Sequence, residues 1–349
     1  MLRPILNEPP SARSGFACFG ELLLRLSAPG NELLLQSGSL NAHIGGAEAN
    51  VAVALARWGH KALMVSVVPD NPLGDACGGE LRRHGVRTDH IHTGPGRMGL
   101  YFLTVGAGHR PSEVLYDRAE SAFALSSPEQ VNWDQVLPQV RWLHVSGITP
   151  ALGPAAAAAA LRAVRAARAH GCWVSFDCNY RAKLWQRWQG DARAILREIV
   201  AEADLLFAEE RDIALTLGRE FHALPAHERF QASAAEALAA FPRLSRVATT
   251  VRSQRSVDDH DLAARLMSRS GLITTRTYSI GRIIDRIGSG DAFAGGVLHG
   301  IETGLDDQSA LDFGLAAACL KHSIPGDFNL SSIADVHNLL QDAGFTVRR

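Results

Sequence analysis

Short apolar runs of strand-like composition alternate with helical segments along most of this chain. That alternation restricts the fold more than any other feature, because it is the rhythm of an α/β sheet. "GFACFGELLLRLS" opens as a strand, "ANVAVALARWG" has helical spacing with Gly59 as a stop, and "KALMVSVV" follows as a strand. "VRWLHVSG", an alanine-rich helix ending near Gly171, "CWVSFDCN", a helix from about Asp191, "ADLLFA" and "RVATTVR" continue the pattern, and helices fill the chain beyond residue 291. The prediction is an α/β fold with a mainly parallel central sheet and helices on both faces. Two stretches interrupt it, at about 31–46 and 98–118, and both read as short strands too small to form a domain. They are expected to make a small β-sheet lid on a single domain spanning 1–349, with 1–14 as a loose leader.

The 349 residues carry a net charge of -1, which offers no electrostatic attraction to nucleic acid or an anionic membrane. No apolar run reaches the length of a membrane span. The first residues lack a signal-type apolar region, so the expected location is the cytoplasm. Five scattered cysteines without a CxxC pair fit reduced thiols there.

"DRIGSGDAFAGG", Asp285 to Gly296, places four glycines around a carboxylate. It fails as a dinucleotide fingerprint, since Phe293 stands at the third glycine position, and no Gly-Lys-Ser/Thr makes it a Walker loop. What remains is a glycine turn opening an apolar helix. The backbone N–H groups of Gly288, Ser289 and Gly290 would converge where the helix dipole is positive, a site for phosphate oxygens. Asp291 in the first turn is either a dipole-complementing acid or a general base beside an anion hole. Asp285 is assigned to the turn itself, and Arg286 has no evident role. The acids of "SVDDHD" (256–261) read as a solvated turn between strands.

Taken with "GGAEANVAVALARWG", the loop resembles the paired signatures of the ribokinase-like PfkB carbohydrate kinases, over roughly Gly15 to Ile324. The resemblance implies a ribokinase-like fold, ATP and Mg²⁺ as cofactors with scope for a monovalent cation, and Asp291 as catalytic base with the anion hole at Gly288, Ser289 and Gly290. "GELLLRL", "VVPDNPLGDA", "GLYF", "LYDR", "DCNYRAKLW" and "KHSIPGDF" resemble the 2-keto-3-deoxygluconate kinase branch. That implies a small sugar acid as phosphoryl acceptor, at its terminal hydroxyl. Gly45, Gly46, Asn50, Tyr101 and Tyr116 would line its pocket, with Arg118 and Arg181 at the acid end. On position alone, both arginines could equally be structural. Thr250, Arg252, Ala317 and His322 are assigned to the nucleotide side, together with Gly288 and Gly290. The family's Asn-x-x-Glu is absent, and Glu209 and Asp212 stand in as magnesium-side groups acting through water. Arg286 and Pro69 also depart from the family pattern. Alternatives are a kinase for fructose, ribose or the galactonate-derived acid, or a non-catalytic sugar-binding regulator. Open strand edges in the lid predict a homodimer or higher homo-oligomer.

Overall fold

The computed structural model describes residues 13–342, so the expected leader lies almost entirely outside the described residues. Fourteen strands form two sheets: β1 (Phe16–Phe19), β2 (Leu23–Ser27), β3 (Asn41–Gly45), β4 (Ala62–Pro69), β5 (Arg87–Gly94), β6 (Gly99–Thr104), β7 (Glu113–Asp117), β8 (Trp142–Ser146), β9 (Trp173–Asp177), β10 (Leu205–Phe207), β11 (Arg246–Gln254), β12 (Asp259–Ser268), β13 (Gly271–Thr274) and β14 (Tyr278–Gly281). The large sheet runs β13-β12-β11-β10-β9-β8-β1-β4-β5, with β14 also on β12. From β11 to β5 every pairing is parallel, whereas β12 is antiparallel to β11, β13 and β14. A short turn joins β11 to β12, and a turn of that length permits only antiparallel pairing. Arg255 there pairs with Asp259 and Asp261, and Asp258 accepts from the Ser256 hydroxyl.

The central strands β1, β4 and β8 are buried along their whole length, as expected for a parallel sheet covered by helices on both faces. The alanine-rich helix Pro154–Ala169 packs into the core on one face. On the other, Ala47–Arg57 and Ser289–Glu302 contribute to a second apolar cluster.

The small sheet runs β3-β2-β6-β7. A second, small sheet agrees with expectation, but its composition differs from it in two respects. "GFACFGELLLRLS" is two strands, not one: β1 belongs to the large sheet and β2 to the lid. The chain changes sheets at Gly20, where a Cβ would sit 2.0 Å from a carboxylate oxygen of Glu48. The lid strands begin at 23, 41, 99 and 113, so the first lid segment starts earlier than 31 and residues 31–40 are not strand. β7 is exposed throughout, including Val114 and Leu115. The five cysteines are all free, four of them buried. No helix among the described residues is long and apolar enough to cross a membrane.

The helix Ser289–Glu302 meets Asp307–Lys321 at glycine on both sides. A Cβ on Gly296 would lie 2.6 Å from Gly314 Cα, too close for any side-chain rearrangement to relieve. Gly296→Ala is therefore expected to lower stability by about 1–3 kcal/mol through helix displacement. Urea unfolding would show it as a lower midpoint, and an unchanged midpoint would contradict this packing.

Candidate active site

The carboxyl ends of the parallel strands and the lid enclose a cleft of about 410 Å³. This is where an open α/β sheet presents loops and helix N-termini to a ligand. Asp177 ends β9, Glu209 and Asp212 follow β10, and Thr250 and Arg252 lie on β11, all lining the cleft. Leu23, Tyr101, Tyr116 and Arg118 line it from the lid side, while Gly46 and Asn50 enter from the turn into Ala47–Arg57.

Gly288 caps the helix Ser289–Glu302 with φ 80°, the left-handed region that favours glycine. A Cβ there would also meet Asp327 O at 2.0 Å. The Ser289 N–H donates to Arg286 O at 3.3 Å, so that amide already serves the turn. The N–H groups of Gly288 and Gly290 have no acceptor among the described residues and remain for an anion at the positive end of the helix.

Asp291 stands in the first turn of that helix and lines the cleft. The Asn50 amide donates to its Oδ2 at 2.6 Å, joining two sequence motifs 241 residues apart. Burial pushes the Asp291 carboxyl up to about 7, opposed by the Asn50 hydrogen bond and reinforced by the charge of Glu48. A carboxyl titrating near neutrality beside free backbone donors can accept a proton while an anion is held next to it. Glu48 serves the structure through its Oε1, which accepts from Ser146 N and Thr149 Oγ1, both at 2.8 Å.

The two arginines expected at the acid end differ. Arg118 is 4% exposed and donates through Nε and a terminal nitrogen to Glu21 Oε2, a buried ion pair. Arg181 also lines the cleft, yet it forms no direct ion pair among the described residues and donates only to the adjacent Tyr180 O. The Tyr101 hydroxyl is committed to Asp327 Oδ2. Gly45 does not line the cleft, but a Cβ on it would lie 2.1 Å from that same Asp327 oxygen.

Two positions assigned to the nucleotide side are corrected. Ala317 is fully buried in an apolar cluster with Trp58 and Phe313, and its side chain does not reach the cleft. His322 is 1% exposed, stacks edge-on against His260 and bonds to Ala318 O, also away from the cleft. Arg286, unexplained by sequence, lines the cleft and donates to Val257 O at 3.0 Å.

Glu209 and Asp212 form a capping box on the helix Glu210–Leu217, and Glu209 also pairs with Arg211 at 3.1 Å. Burial raises Asp212, and it raises Asp177 well above the usual carboxylate range with help from Asp291 and Asp212. Among the described residues no three acidic or thiol or imidazole groups converge tightly enough to ligate a metal directly. These carboxylates fit a magnesium ion held mostly through water and ligand oxygens.

Sequence reasoning passed over Arg25, Asp327 and Asp177. Arg25 is a lone charge inside an apolar run, and a buried charge of that kind demands partners. It finds Asp285 at 2.6 Å and Asp327 at 3.1 Å, both buried. Asp285 also accepts from Ile287 N and Gly326 N, each at 3.0 Å, so its role in the turn is wider than expected.

A lidded parallel sheet with a half-buried acid at a glycine-capped helix defines a phosphotransferase with an alcohol group as acceptor, of ribokinase-like fold. Residues 14–331 match the family described as pfkB family carbohydrate kinase, and the chain belongs to that family. A 2-dehydro-3-deoxygluconokinase structure from Thermotoga maritima superposes with a TM-score of 0.89 at 39% identity, covering 94% of this chain and 99% of that one. The 2-dehydro-3-deoxygalactonokinase of Haloferax volcanii is 33% identical over 93% of this chain and 97% of its own. The 2-dehydro-3-deoxygluconokinase of Thermoproteus tenax is 26% identical over 92% of each.

With Asp291 as the essential base, kcat/KM is expected to fall about tenfold per pH unit below about pH 7. The sign follows from its raised carboxyl, which is protonated and inactive below that value. In Asn50→Ala, which removes a bond favouring the anion, the fall should begin at higher pH. An acid limb identical in parent and variant would disconnect Asn50 from the base.

Proposed function

We propose that this kinase transfers the γ-phosphoryl group of ATP to the terminal C6 hydroxyl of 2-keto-3-deoxygluconate. Asp291 accepts the hydroxyl proton as that oxygen forms a bond to phosphorus. The bond from phosphorus to the bridging oxygen breaks, and ADP leaves. The Gly288 and Gly290 amides hold the transferring group, whose charge is spread over its outer oxygens. Magnesium held near Asp212, Glu209 and Asp177 would neutralise phosphate charge when bound. Thr250, Arg252 and Arg286 face the nucleotide. The acceptor lies under the lid against Gly46, Asn50 and the two tyrosines.

The observation that carries the acidic substrate is Arg181, a cleft-lining guanidinium with no direct ion pair of its own. Guanidinium holds a carboxylate by parallel charge-assisted bonds, and a neutral sugar has no use for it. Arg118 contributes less, because Glu21 already balances its charge. The names of the Thermotoga and Thermoproteus relatives support the gluconate-derived acid. That of the Haloferax relative favours its galactonate-derived epimer as a second reading.

An ADP-release assay over both acids, fructose and ribose tests the proposal. The parent is expected to prefer the acids, with the gluconate-derived one first. Arg181→Ala should raise KM for the acid about 10–100-fold, the worth of a lost hydrogen-bonded charge contact. Asp291→Asn should lower kcat by orders of magnitude with ATP binding retained. Preference for a neutral sugar, or equal KM losses on acid and neutral acceptors, would overturn the acid-anchoring role.

A further inference from the structure

A fully buried lysine stands behind the anion-binding turn with no part in the steps above. Lys321 closes the helix Asp307–Lys321 and is 0% exposed. Its Nζ donates to Ile324 O at 2.9 Å, one bond for a group with three donors. Its stem packs beneath Gly288, where a Cβ would lie 3.4 Å from Lys321 Cε. It makes no direct ion pair among the described residues. The charged and titratable groups around it are Asp285, Asp327, Arg25, Asp291, His43 and His322.

A lysine charge in a dry interior is costly unless the local field favours it. Here two carboxylates, Asp285 and Asp327, face two cations, Arg25 and Lys321. Arg25 contacts both carboxylates directly, at 2.6 and 3.1 Å, yet it can balance only one of them. Without Lys321 the cluster would carry an excess negative charge under the turn that receives the phosphoryl group. In a low-dielectric site that charge would oppose the anion forming above Gly288 and Gly290.

We propose that Lys321 is a positioning residue for phosphoryl transfer, a fixed counter-charge whose ammonium keeps the ground beneath the Gly288–Gly290 anion hole from turning negative. It acts through the loop and touches no reactant. The charge should matter more as the phosphoryl group leaves than when the acceptor binds, so the effect should fall on kcat. Burial lowers Lys321 to about 8, against the pull of Asp285 and Asp327. The ammonium is therefore present below that pH and lost as pH rises through it.

The test compares the parent with Lys321→Met, a neutral side chain of similar length, using the acceptor that the parent turns over best. Folding is checked by circular dichroism. The variant is expected to lose about 10–100-fold in kcat, with KM for the acceptor within about threefold. The parent's kcat should fall on the alkaline side of about pH 8, and that fall should be absent in the variant. A kcat within twofold of the parent, or the same alkaline fall in both, would overturn the proposal. Should Lys321→Met not fold, the parent alone decides, since a kcat that stays flat from about pH 7 to about pH 9.5 contradicts it. The inference rests on the kinase reading above, and the two fail differently. A parent that releases no ADP on any acceptor sinks that reading, whereas an active parent matched by Lys321→Met sinks only this one.

Discussion

The hydrogen bond from Asn50 to Asp291 is the contact on which the site depends. It joins the helix Ala47–Arg57, which follows the lid strand β3, to the helix that opens at Gly288. Burial alone would drive the Asp291 carboxyl towards its neutral form, and a neutral acid cannot take a proton. The amide of Asn50 favours the anion by donating to it, while Glu48 pushes the other way. Their balance leaves a carboxyl that titrates near neutrality.

The lid is tied to the same place by charge. Arg25 on β2 reaches Asp285 and Asp327, and Tyr101 on β6 donates to Asp327. Asp327 in turn closes against two glycines, its side chain against Gly45 and its carbonyl against Gly288. Both positions exclude a side chain because the same residue fills the space. The lid and the turn at Gly288 therefore share one buried polar cluster and cannot shift independently without leaving a charge unpaired.

Much of this was legible in the sequence. The alternation of strands and helices gave the parallel sheet, and the two glycine motifs gave Asn50 and Asp291, because short-range glycine and acid spacing reflects local backbone chemistry. The switch of sheet at Gly20 was not legible: Phe19 before it and Leu22 to Leu24 after it are apolar, and the approach of Glu48 that leaves no room for a side chain at Gly20 is long-range. Ala317 and His322 were misplaced because helix position alone does not say which face meets a cleft. Arg25 lies at the opposite end of the chain from Lys321 and Asp327, and the significance of the three lies in their proximity in the fold, which no spacing rule encodes. Arg118 and Arg181 looked alike in sequence, and what separates them is Glu21, 97 residues from Arg118.

The claim that a half-buried, amide-bonded carboxylate is poised as the base can be measured without turnover. Carboxyl carbon NMR of Asp291 in the ligand-free protein, assigned by its loss in Asp291→Asn, would give its titration midpoint. The expected midpoint is about 7, raised by burial from the ordinary aspartate value. A midpoint near the ordinary aspartate value of about 4 would contradict the account.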